Sequence, residues 1–227
     1  MQVVQGKHLV TPDGEVLDEL RSRAARVIVD VGTGDARTAY RLAKAQPEWL
    51  VVGIDPAWQR MSPTSVRASR KPAKGGAPNL LLVNSAIETV PAELHGIADE
   101  VSVLMPWGKL LRGVVHGDGD VCAGLRAVAR PGASLDITVG TSIWRDPVPL
   151  EIRELPELTP EYVDTVLAGR LAGYGWQVTG AEVISGAEMD RMSSSWARRL
   201  GSGNPEVVIH VRATAVTPAE VAAGSPG

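Results

Sequence analysis

Three short runs in this chain hold residues able to do chemistry. In the first, Val29-Asp30-Val31-Gly32-Thr33-Gly34-Asp35, two glycines sit among acids. Glycines let backbone approach a ligand closely and feed a helix N-terminus. A plain tight turn is the simpler alternative, and the third glycine of a dinucleotide fingerprint is missing. Asp55 follows about 20 residues on, the spacing at which an acid takes hydrogen bonds from ribose hydroxyls. A helix cap would suit it as well. Together these residues favour a nucleoside ligand. Asp30 and Asp35 would repel a pyrophosphate and attract a cation, which points to the sulfonium and ammonium of S-adenosyl-L-methionine. In Asn84-Ser85-Ala86-Ile87-Glu88, Glu88 or a neighbour such as Ala86 could meet the adenine edge, and Glu88 could equally be a surface acid.

The other two runs are Met105-Pro106-Trp107-Gly108 and Ser193-Ser194-Ser195-Trp196-Ala197-Arg198-Arg199. A Pro followed by an aromatic can offer a face for a flipped base. Enzymes acting on an exocyclic amine usually hold it with Asp or Asn before that Pro, and Met105 cannot. A ring nitrogen is therefore the expected target. Adenine N1 has an in-plane lone pair and needs no general base, so positioning would carry the catalysis. Core packing is the competing reading of Trp107. Trp196 sits in a polar context, where a core Trp is unusual, and two aromatics could bracket a flipped base.

These residues need a scaffold. The 227 residues, 44% hydrophobic and 22% charged, fit one globular domain. One cysteine, Cys122, excludes a disulfide framework, and four scattered histidines give a metal site little support. No signal peptide or membrane span is visible, so a cytoplasmic protein without a membrane partner is expected. Two apolar runs around Thr11-Pro12-Asp13-Gly14 predict an N-terminal β-hairpin, placed at 1–20. Strands and helices then alternate: strands at 26–31, 50–55, 80–83, 100–105 and 134–139, with helices at 36–46 and 57–70 between the first of them. A helix at 160–173 and strands at 176–184 and 207–214 follow. Continuous apolar strands alternating with helices imply an α/β, mainly parallel, Rossmann-like sheet covered on both faces. A final antiparallel pair is the mark of the methyltransferase version. The methyltransferase domain is placed at 21–216, with insertions at about 141–160 and 185–205 and a flexible tail at 217–227.

The net charge of -3 argues against nucleic acid until its distribution is read. Residues 60–74 contain Arg60, Arg67, Arg70, Lys71 and Lys74 and no Asp or Glu. Arg198 and Arg199 form a second basic patch beside Trp196. Local basic faces suffice for phosphate binding, although a solvated helix end would look similar.

The glycine run, Lys71-Pro72-Ala73-Lys74-Gly75-Gly76, Leu104-Met105-Pro106-Trp107-Gly108 and Ser195-Trp196-Ala197-Arg198-Arg199-Leu200 resemble the aminoglycoside-resistance methyltransferases that modify N1 of the adenine at 16S rRNA position 1408. The similarity runs over nearly the whole chain. It implies a class I S-adenosylmethionine-dependent methyltransferase with a seven-stranded sheet. It also implies cofactor held by Asp30, Gly32, Gly34, Asp55, Ala86, Glu88, Leu104 and Ser195, and a flipped adenine between Trp107 and Trp196. Arg67, Arg70, Lys71, Lys74, Arg198 and Arg199 would dock a monomer on 16S rRNA in the 30S subunit. One departure is Lys109, where the family pattern has a small hydroxyl residue. A long cation beside a sulfonium is unfavourable unless it points outward. The alternatives are a small-molecule methyltransferase, which would not need the basic run, and a non-catalytic RNA-binding module.

Overall fold

The computed structural model describes residues 1–13, 15–145, 147–150, 152–185, 188 and 207–216. Apolar runs without polar alternation bury both faces, and the first strands do so: β3 (Arg26–Val31), β4 (Trp49–Ile54), β5 (Leu80–Val83) and β6 (Ala98–Leu104) are buried along nearly their whole length. They pair in parallel, as does β6 with β7 (Ala129–Gly140). The last two strands, β8 (Trp176–Ile184) and β9 (Val208–Ala215), run antiparallel to each other, and β9 runs antiparallel to β7. These seven strands are ordered β5-β4-β3-β6-β7-β9-β8. That is the expected class I methyltransferase sheet.

The hairpin of β1 (Val3–Gln5) and β2 (His8–Val10) adds two strands at one edge, through Val3 opposite Val83. Its turn lies at Gly6-Lys7, not at 11–14 as the sequence suggested. Gly6 adopts φ +63°, which supplies the left-handed bend. Pro12 and Asp13 instead lead into α1 (Glu15–Ser22), and the Val16 N–H donates to the Asp13 carbonyl at 3.1 Å. Turn residues and helix-start residues are the same types, so their order alone misassigned them.

Helices α2 (Arg37–Ala45) and α3 (Trp58–Ala68) follow β3 and β4. Between β6 and β7 lie two helices, α4 (Gly108–His116) and α5 (Gly119–Val128), where the sequence pattern indicates one. Gly117 in the left-handed region ends α4, and the Asp118 carboxylate caps α5 by accepting from the Asp120 N–H at 3.0 Å. The expected helix after Pro160 forms as α6 (Pro160–Tyr162), a π turn (Val163–Leu167) and α7 (Ala168–Ala172). Trp176 is fully buried, whereas Trp49 is half-buried under the Arg26 guanidinium, 5.3 Å from its ring centre.

The basic segment after α3 is a tight, tied loop. The Gly76 N–H donates to the Lys71 carbonyl at 3.1 Å and the Ala77 N–H to the Ala68 carbonyl at 2.8 Å. The Tyr40 hydroxyl donates to the Gly75 carbonyl, and Lys44 Nζ to that of Gly76 at 3.1 Å. A Cβ on Gly76 would lie 1.7 Å from the Arg70 carbonyl oxygen. Backbone cannot yield as a side-chain tip does. Gly76→Ala is therefore expected to destabilise the protein by about 1–3 kcal/mol, as overpacking does. Chemical denaturation of the full chain measures it, and an unchanged midpoint would contradict the close approach.

Candidate active site

In open α/β sheets the crevice lies beyond the carboxyl ends of the strands. Here β3, β4, β5 and β6 all send loops into it. The loop after β3 is drawn toward β4: the Gly32 and Thr33 N–H groups both donate to the Ile54 carbonyl, at 2.8 and 3.1 Å. Gly32 has φ +70°, and a Cβ there would meet Leu110 Cδ2 at 2.5 Å. A side chain would be both strained and crowded. Asp30 is 4% exposed and sits beneath this loop, accepting from Thr33 Oγ1 at 2.7 Å and Ser102 Oγ at 3.3 Å. Its carboxylate shapes the loop from below.

Asp55 satisfies both of its sequence readings. One oxygen accepts from the Ala57 N–H at 2.8 Å where α3 begins, and the other from the Gly34 N–H at 2.9 Å. It also lines a cavity of about 590 Å³. Gly32, Gly34, Ala86 and Glu88 line the same cavity, with Leu104 and Trp107 on the side of β6. Seven of the eight described candidates for cofactor and base binding thus meet around one space, and Asp30 lies under the loop beside it. Ser195, Trp196, Arg198 and Arg199 fall outside the described residues.

The cavity has the size of a nucleoside-bearing ligand. Each Asp55 oxygen takes one backbone donor and keeps a further lone pair, as ribose hydroxyls require. Glu88 offers a carboxylate, 12% exposed, at the other end of the lining. These donor and acceptor types fit S-adenosylmethionine. Two cations also line the cavity, of which only Lys109 was placed beside the cofactor from sequence. Arg60, in the first turn of α3, approaches the loop so closely that a Cβ on Gly34 would lie 3.6 Å from its Nη2. Lys109 reaches Glu88, with Nζ 2.9 Å from Oε1, so its largely exposed side chain runs along the rim to an acid of the lining. The Glu88 carboxylate holds the Lys109 ammonium above its usual pKa. Arg60 was legible only as one of a basic run, because a helix start and a loop meet there by folding. Cys122 plays no part: burial pushes its thiol up to about 11.

Trp107 is not core. It is 55% exposed and stands at the rim of the cavity. The turn before it is strained: Met105 has φ +48°, one of two non-glycine residues described in the left-handed region. Pro106 is buried, Trp107 is extended as the N-cap of α4, and Gly108 has φ +58°. The Met105 N–H donates to the Thr138 carbonyl at 2.8 Å, anchoring the turn on β7.

The basic loop is not beside the cavity. Arg67, Arg70, Lys71 and Lys74 are all exposed. They lie at the far end of α3, whose 11 residues span about 16 Å. Arg67 stacks its guanidinium 4.9 Å from the Tyr40 ring centre, which stiffens it.

Comparison with known proteins agrees with this geometry. The profile of the NpmA family, described as 16S rRNA (adenine(1408)-N(1))-methyltransferase, matches residues 2–215. A 16S rRNA (adenine(1408)-N(1))-methyltransferase of Streptoalloteichus hindustanus is 43% identical over 202 residues, 89% of this chain and 93% of that protein. A crystal structure of such an enzyme from Catenulisporales acidiphilia, a tryptophan-to-alanine mutant with its cosubstrate SAM, superposes with a TM-score of 0.88 at 63% identity, covering 100% of both chains. The antibiotic-resistance methyltransferase Kmr superposes with a TM-score of 0.78 at 34% identity, over 95% of this chain and 100% of that one. With a profile match across most of its length, and with a cavity of nucleoside size at the ends of its parallel strands, the chain belongs to the S-adenosylmethionine-dependent 16S rRNA (adenine(1408)-N(1))-methyltransferase family.

Proposed function

We propose that this chain methylates N1 of the decoding-site adenine, position 1408 of 16S rRNA, in the assembled 30S subunit, with the base flipped out between Trp107 and Trp196. One observation carries the reading. A half-exposed Trp107 is held by a strained turn at the rim of a cofactor-sized cavity. A strained turn that exposes a large apolar ring costs stability and gives nothing to the core. A ligand face is the physical use for it.

S-adenosylmethionine supplies, when bound, a methyl group on a sulfonium. The chain's residues do the rest by placement. Asp55 accepts from ribose hydroxyls, and Glu88 and the backbone near Ala86 meet the adenine edge. The Gly32–Gly34 loop, bent by Asp30 from below, lets backbone pass close to the amino-acid end. Trp107 stacks on the target base, a contact worth about 1–3 kcal/mol. Adenine N1 is unprotonated at neutral pH and needs no base, so orientation lowers the barrier, by up to roughly 7–11 kcal/mol in favourable cases. The methylated base is cationic and repels the ammonium groups of kanamycin- and apramycin-type drugs. The basic loop supports a large polyanionic substrate over a small metabolite. Exposed cations about 16 Å from the cavity, the length of α3, can reach phosphates only of something extended.

The reading is tested by methyl transfer from labelled S-adenosylmethionine to intact 30S subunits and to free rRNA, with the methyl group located by mass spectrometry. Label on the 30S adenine is expected, and none there would overturn the proposal. Trp107→Ala and Trp196→Ala should each slow transfer about 10- to 100-fold. Cofactor Kd should stay within about twofold, since stacking on the target base leaves the adenosine interactions alone. Full activity in either variant removes the sandwich. Arg70→Glu and Lys71→Glu should weaken 30S binding and lower its logarithmic salt slope by about one for each phosphate no longer neutralised. Unchanged slopes would clear the loop of that role.

A further inference from the structure

The rim of the cavity holds a charge pair. Lys109 extends from the first turn of α4 with its side chain 84% exposed, and its Nζ lies 2.9 Å from Glu88 Oε1 on the 3₁₀ turn after β5. Both residues line the space that Asp55 lines. Among the described residues, the charged lining side chains are Asp35, Asp55 and Glu88 against Arg60 and Lys109, a formal balance of -1. Asp35 is further drawn off by Arg37, whose Nε is 3.1 Å from its Oδ2. The acidic surplus that the loop sequence suggested is therefore largely cancelled by cations brought in from two helices.

The donor and its product, S-adenosylhomocysteine, share adenine, ribose and amino-acid ends. They differ by one methyl group and one positive charge at sulfur. A cavity with surplus negative charge favours the donor, and a cation on its wall removes part of that preference. We propose that Lys109 is a specificity-determining residue of the cofactor site: paired with Glu88, it lowers the site's preference for the sulfonium donor over the neutral sulfide product. Whatever Glu88 and Lys109 do for the shared adenine cancels in the ratio of the two affinities, so only the charge difference remains. The consequence is an enzyme whose donor competes less well against its product, so that it slows as product accumulates. This inference rests on reading the cavity as the cofactor site.

Titration calorimetry of the full chain with S-adenosylmethionine and S-adenosylhomocysteine tests it, at low and high salt. The donor-to-product Kd ratio should fall about three- to fivefold in Lys109→Met and stay unchanged in Lys109→Arg. It should rise in Glu88→Gln, where the lysine loses its partner. High salt should shrink these differences, because the pair is exposed. A ratio unmoved in Lys109→Met overturns the proposal, whatever Glu88→Gln does. Asp55→Ala should weaken both ligands at least tenfold, about the loss of one charge-assisted hydrogen bond. Unchanged binding in that variant would overturn the cavity reading itself, whatever the lysine variants do.

Discussion

One carboxylate organises this molecule. Asp55 accepts the Gly34 N–H with one oxygen and the Ala57 N–H with the other. The first bond ties the loop after β3 to the end of β4. The second sets the start of α3. A hydrogen bond to a charged group is worth about 1.5–3 kcal/mol, more than a neutral one. With Asp55 only 8% exposed, losing either donor would strand a largely buried charge. From this anchor α3 carries Arg60 past the cavity at one end and presents the basic loop at the other. A single buried acid thus fixes the shape of the loop at the cavity and the place of the basic loop relative to it.

The same site shows how local charge misleads when read in sequence order. Asp30 and Asp35 make the glycine loop acidic on paper. In the folded chain Asp30 is engaged by Thr33 and Ser102 beneath the loop, Asp35 pairs with Arg37, and Glu88 pairs with Lys109. Among the described residues, what remains is a nearly balanced cavity lined by Asp55. The strain of the rim lies elsewhere: the left-handed Met105 turn holds Trp107 out toward solvent while Pro106 stays buried.

Much of the fold was readable in advance because its strands are fully buried and therefore continuous in sequence. Runs such as Val27-Ile28-Val29 and Leu50-Val51-Val52 have no other home than a central parallel sheet. The N-terminal turn was misplaced because Thr11-Pro12-Asp13 can end a hairpin or begin a helix, and only the pairing of Val3 with Val10 decides. The split between α4 and α5 went unseen for a related reason. Gly117-Asp118-Gly119 reads as a loop of any geometry until Gly117 takes φ +62°.

For the site, sequence alone determined the residues that must follow each strand: the glycine pair, Asp55, Glu88 and the Pro-Trp step. Strand ends are local, and chemistry at strand ends follows from the sheet. Only the tertiary structure decided which charges face one another. It put Arg60 against the Gly34 loop and Lys109 on Glu88, 21 positions away, and it carried the basic loop the length of a helix from the cavity. Electrostatic partners are set by distance in space, and distance in space between separate helices and loops is what folding supplies.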